Sequence, residues 1–199
     1  MIKKLINPYK YLAGLKSLIL GIAIILATSI IGYFSNTQFP DIISVKTCPD
    51  FSISYFILQG LLNWFILSTM FYIASMIISK SKVRPIDIYG TQALARFPYL
   101  LASCIGFSSA LNDFSKYLQW TLLKQGEPIE ISSIQIVIAI LILVFSLILT
   151  IWMITLMFNA FKVSANLKGN RLVFSFIIVM ILSIVLTGYL NQNLTLKLQ

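Results

Sequence analysis

"IDIYGTQALARFPYLLASCIGFSSAL", residues 86–111, decides how many times this chain crosses a membrane. Its apolar part, 97–111, would reach only about 22 Å at ~1.5 Å per helical residue. A bilayer core is roughly 30 Å thick, and it admits a helix because the helix satisfies its backbone donors and acceptors within its own segment. The run therefore spans only if Ala93 to Arg96 join it and the Arg96 side chain snorkels to the surface, which gives an expected span over 93–111. Pro85 is expected to block any helix before it, Asp87 to favour a helix start, Gly90 to permit a sharp turn, and Pro98 to act as a first-turn proline or a kink.

Four other runs span without such help, over 15–34, 55–79, 134–158 and 172–190, and Lys16 near one end is the only charge in them. Composition agrees. Hydrophobic residues make up 58% and charged residues 11% of the 199 residues, with a mean hydropathy of +0.91, whereas soluble domains carry about 25% charged residues. The expected fold is an all-α, polytopic integral membrane bundle of five transmembrane helices, forming a single membrane domain over 1–199.

Charge placement gives the orientation. With five crossings and the N-terminus in the cytoplasm, Lys3, Lys4, Lys10, Lys16, Lys80, Lys82, Arg84, Arg96, Lys162, Lys168 and Arg171 fall inside. Lys46, Lys116, Lys124 and Lys197 fall outside. If 93–111 did not cross, the cluster at 162–171 would move outside and the asymmetry would weaken. The first run is too long for a signal-peptide core and no A-x-A-like site follows it, so it reads as a retained helix. The outer loops near 36–50 and 112–130 are far shorter than the roughly 40 residues at which independent domains become marginal, so function resides in the spans and their rims.

The residue inventory closes several doors. Histidine is absent and every acid lies outside the expected spans, which removes the serine–histidine and the paired-aspartate forms of intramembrane protease. No phosphate-binding or dinucleotide glycine pattern occurs, and the two cysteines, Cys48 outside and Cys104 at depth, form no metal-ligand spacing and read as free thiols. No cofactor or metal is expected, and the chain reads as a non-enzyme. The net charge of +9 is divided among short clusters between apolar runs, a membrane-topology pattern and not a nucleic-acid face. Asn193-Leu194-Thr195 matches a glycosylation tripeptide but lies too close to the last span to count, and Pro40 and Pro49 punctuate an outer loop.

Gln59 and Asn63 are the polar residues that matter at depth. Four apart, they share one helix face with Ser52, Tyr55, Ile66 and Met70. That face is expected to be buried against other spans, with Asn159, Thr150 and Ser146 of the fourth span or Ser103, Ser108 and Ser109 of the third as partners. A hydrated substrate path is the alternative use of such a stripe.

Five spans, "DIYG" at 87–90, a proline soon after an aromatic in "RFPYLL", and the short basic turn "FNAFKVSANLKGNR" at 158–171 resemble the Yip family, the Ypt-interacting membrane proteins, in particular its short bacterial members. The resemblance implies membrane proteins that, in the eukaryotic branch, associate with Rab-type GTPases and with one another. It also implies a partner-contact role for Asp87, Tyr89 and Gly90, with Thr91 standing where the eukaryotic motif has proline. The resulting expectation is a non-enzymatic scaffold or organiser, with a small permease or transporter subunit as the alternative. Its expected surroundings are the lipid bilayer and other membrane proteins or a second copy of the chain. The Ile-, Lys- and Asn-rich usage favours a bacterial plasma membrane over a eukaryotic endomembrane.

Overall fold

The computed structural model describes residues 7–47, 51–125 and 130–198. Helices account for about three quarters of it: α1 (Leu15–Phe34), α2 (Ile53–Ile78), α3 (Pro85–Leu94), α4 (Phe97–Ala102), α5 (Ala110–Leu123), α6 (Ser133–Ser164) and α7 (Gly169–Leu198). Two-residue strands β1 (Thr37–Gln38) and β2 (Lys46–Thr47) pair antiparallel in the α1–α2 loop. The chain is an all-α membrane bundle. α1, α2, α6 and α7 are each long and apolar enough to cross a bilayer.

The fifth crossing is built differently from the expectation. No helix leads directly into Pro85, which itself opens α3, since its missing N–H falls among the first-turn donors that have no helical partner anyway, and Asp87 lies in that first turn. The expected single helix over 93–111 is three pieces: α3, α4 and a 3-10 turn over Ile105–Phe107. The break at Ala95–Arg96 precedes Pro98, whose ring clashes with the carbonyl four residues back and cannot donate to it. Contacts along α1 show that these pieces together traverse the bundle. Near the start of α1, a Cβ on Gly90 would lie 2.5 Å from Ser17 Oγ and 2.9 Å from the Gly14 carbonyl oxygen. Further along, one on Gly21 would overlap the Ala93 methyl. Beyond the end of α1, the Ser35 hydroxyl donates to the Ser103 carbonyl at 2.5 Å. Residues 85–107 therefore run parallel to α1 from one end to the other. Gly90 is thus a helix-interior glycine that allows two backbones to approach, not a turn residue.

A bend of 68° separates this segment from α5. The expected loop at 112–130 is helical as far as Leu123, with Leu111, Phe114, Leu118 and Leu122 on a groove against Leu143 of α6. Lys116 on α5 is exposed, and an amphipathic helix of this kind suits the membrane interface. Residues 126–129 of that expected loop lie outside the described residues.

The core lies where α2, α6 and α7 converge. Phe71 on α2 sits 4.6 Å, centre to centre, from Phe161 on α6 and 5.6 Å from Phe176 on α7, and all three rings are buried. α6 starts from a capping box in which Ser132 and Gln135 bond reciprocally. At about 48 Å it is longer than a bilayer core. Toward its C-terminal end it is buried around Met153, Met157 and Phe161, while Leu141, Val144, Leu147 and Ile148 in its first half are exposed, an apolar surface suited to lipid. α7 extends past the expected 172–190 limits and carries Asn193 and Thr195 within the helix, bonded to the carbonyls of Tyr189 and Gln192.

Candidate functional site

The buried stripe of α2 runs Tyr55, Gln59, Asn63, Leu67, Phe71, Ser75, one residue every helical turn. Gln59 and Asn63 are 1% and 0% exposed. Their partners differ from those expected: they hold the α1–α2 loop, which folds back into the bundle. Gln59 Oε1 accepts from the Phe39 backbone N–H at 3.0 Å, and Gln59 Nε2 donates to the Tyr55 hydroxyl at 2.9 Å. The Tyr55 hydroxyl in turn donates to Gln38 Oε1 at 3.2 Å. Asn63 Nδ2 donates to the carbonyls of Phe39 (2.7 Å) and Asp41 (3.2 Å). From α7, Asn191 Nδ2 donates to Asn63 Oδ1 at 2.7 Å and to the Pro40 carbonyl at 2.8 Å. Two spans thus grip residues 38–41 largely by the backbone.

The same loop is held from the other side. Phe39 stacks on Tyr99 of α4 with ring centres 4.2 Å apart, and the Tyr99 hydroxyl donates to the Ile42 carbonyl. Ile42 is fully buried. Asp41 closes the loop on itself, its Oδ1 accepting from the N–H groups of Ile43 and Ser44 at 2.8 Å each. A loop at this depth is tolerated because protein supplies the hydrogen bonds that lipid cannot. Pro40 is thereby part of the plug and more than loop punctuation, while Cys48 and Pro49 lie outside the described residues.

Arg96 does not snorkel. It is 3% exposed, its guanidinium carbon 5.8 Å from the centre of the Tyr99 ring, and it lines a small cavity with Gln59, Thr28 and Ser29. The break before Pro98 turns its side chain toward α1 and α2. Measured from the true helix start at Pro85, position 96 falls in the middle of the crossing segment, and that count is the sequence signal for its depth. Cys104 is a free thiol exposed on the surface of the bundle.

Asp87, Tyr89 and Gly90 make contacts with three different helices. Gly90 is buried against α1. The half-buried Tyr89 lies over α2, its hydroxyl sharing a 2.8 Å hydrogen bond with Thr69 and its carbonyl accepting from Trp64 Nε1 at 2.9 Å. The Asp87 carbonyl accepts from Thr91 at 2.7 Å and from Ser164 of α6 at 3.2 Å. Nearby, the exposed Lys80, Lys168 and Arg171 line an open depression of about 400 Å³ whose walls include Ile78, Ser81 and Asn166, and Lys82 and Arg84 are exposed in the segment that leads from Lys80 to α3. Among the described residues, no three of His, Cys, Asp and Glu cluster as metal ligands would. In comparisons with known proteins, the chain matches no family model, no curated protein and no solved structure.

Proposed function

We propose that this chain is a non-enzymatic integral membrane scaffold, an organiser of other membrane components, akin to the Yip family in its Asp87, Tyr89 and Gly90 motif. The observation that supports it most is the use made of polar residues at depth. Gln59, Asn63 and Asn191 bond the backbone of residues 39–41, so protein fills the position a permease would keep hydrated. Because Tyr89 and Gly90 serve internal contacts, the partner-binding part of the motif reduces to the half-buried Asp87 and the basic rim beside it. On this reading the N-terminus is cytoplasmic, the rim faces the cytoplasm of a bacterial cell, and partners are other membrane proteins or a second copy of the chain.

The test has two arms. Purified protein reconstituted in vesicles is expected to leave them tight to water-soluble solutes. Affinity purification from cross-linked native membrane is expected to retrieve a defined membrane protein, and Lys80→Glu with Arg84→Glu is expected to lose it. Solute flux through the vesicles would overturn the scaffold reading in favour of a permease.

A further inference from the structure

We propose that the cavity beside Arg96 is a binding site for one small monovalent anion, of halide size, held inside the bundle. Arg96 Nε and Nη2 are buried and have no hydrogen-bond partner. A guanidinium keeps its charge under all cellular conditions, and an unpaired charge removed from water is strongly unfavourable without a counter-charge. Asp41, on the loop packed against Tyr99, keeps its negative charge but supplies no acceptor to these donors: its Oδ1 accepts from two backbone N–H groups and its Oδ2 from the Ser44 hydroxyl at 2.5 Å.

The lining selects sign and size. It contains no carboxylate. The hydroxyls of Thr28 and Ser29 donate to α1 carbonyls at 2.8 and 2.9 Å, and the Tyr99 hydroxyl to Ile42, and none of the three accepts from Arg96 Nε or Nη2. Gln59 Nε2 has one N–H committed to Tyr55 and a second available beside the Arg96 donors. The cavity measures about 20 Å³, against the roughly 10–15 Å³ that one water needs. That admits one small species of about water or halide size. In surroundings of low dielectric, the attraction between a guanidinium and such an anion is far stronger than in water.

The experiment is the thermal denaturation of the whole protein in detergent at fixed ionic strength, with gluconate replaced stepwise by chloride or bromide. Saturable stabilisation is expected, a Tm rise of about 5–10 °C at a hundredfold excess over Kd, and it should vanish in Arg96→Gln. Equal Tm in chloride and gluconate would overturn the proposal, as would a chloride dependence that survives in Arg96→Gln. If that variant does not fold, chloride-35 NMR of the wild-type protein decides: excess line broadening that bromide removes is expected, and its absence overturns the site. Stabilisation by a short-chain phosphatidylglycerol but by no halide would also overturn it.

Discussion

Gly90 and Asn191 show how much a single residue carries in this bundle. A methyl group at position 90 would meet the Gly14 carbonyl and the Leu18 backbone nitrogen, each 2.9 Å away, and neither can move without shifting α1. Gly90→Ala is therefore expected to cost about 1–3 kcal/mol. Gly188→Ala, with nothing within 4 Å of the added carbon, is expected to stay within about 0.5 kcal/mol. Unfolding in detergent by denaturant titration measures both. Asn191→Leu removes the donor to Asn63 Oδ1 and to Pro40 at once, leaving buried acceptors unsatisfied at about 1–3 kcal/mol. The same titration checks it, and a neutral result would mean water replaces the asparagine. Gln59 and Asn63 were legible in the sequence as a stripe because two amides four apart on an apolar helix have to share a face. Asn191 was not, since it stands one residue past an apolar run and reads as solvent-facing tail until the loop it grips is seen folding inward.

At the scale of elements, the starts of the four long apolar helices were legible to within a few residues, and α1 over 15–34 at both ends, because lipid exposure imposes hydropathy on nearly the whole surface of a span, whereas α6 and α7 continue as helix past their apolar runs. The segment over 85–107 was harder because it is packed against α1, α2 and α6. Its polar Thr91, Gln92 and Arg96 are buried in protein, not presented to lipid, so hydropathy mistook the middle of a crossing for its edge. α5 escaped notice for a related reason: an interfacial helix is amphipathic and short, and its charges resemble those of a loop. With single cysteines on α5, position 116 is expected to label rapidly with a water-soluble thiol reagent in intact membranes and position 111 slowly. Equal rates would place α5 away from the interface.

For the whole molecule, five crossings account together for the distribution of basic residues, for the parallel course of α1 and residues 85–107, and for the meeting of Asn191 with the α1–α2 loop at one end and of Ser79 with Ala165 at the other. The fold class follows from composition and run length. The inward loop does not, because residues 38–42 gain their burial from partners on α2, α4 and α7 that are remote in sequence. The measurement that tests the account most directly is sided labelling of single cysteines at Lys82, Lys124 and Lys168, with Cys48 and Cys104 replaced by serine and a membrane-impermeant reagent applied to sealed vesicles of each orientation. Five crossings predict that 82 and 168 label from one side and 124 from the other. Labelling of 82 and 124 from the same side, with 168 opposite, would show that residues 85–123 enter and leave by one face, and it would contradict the account.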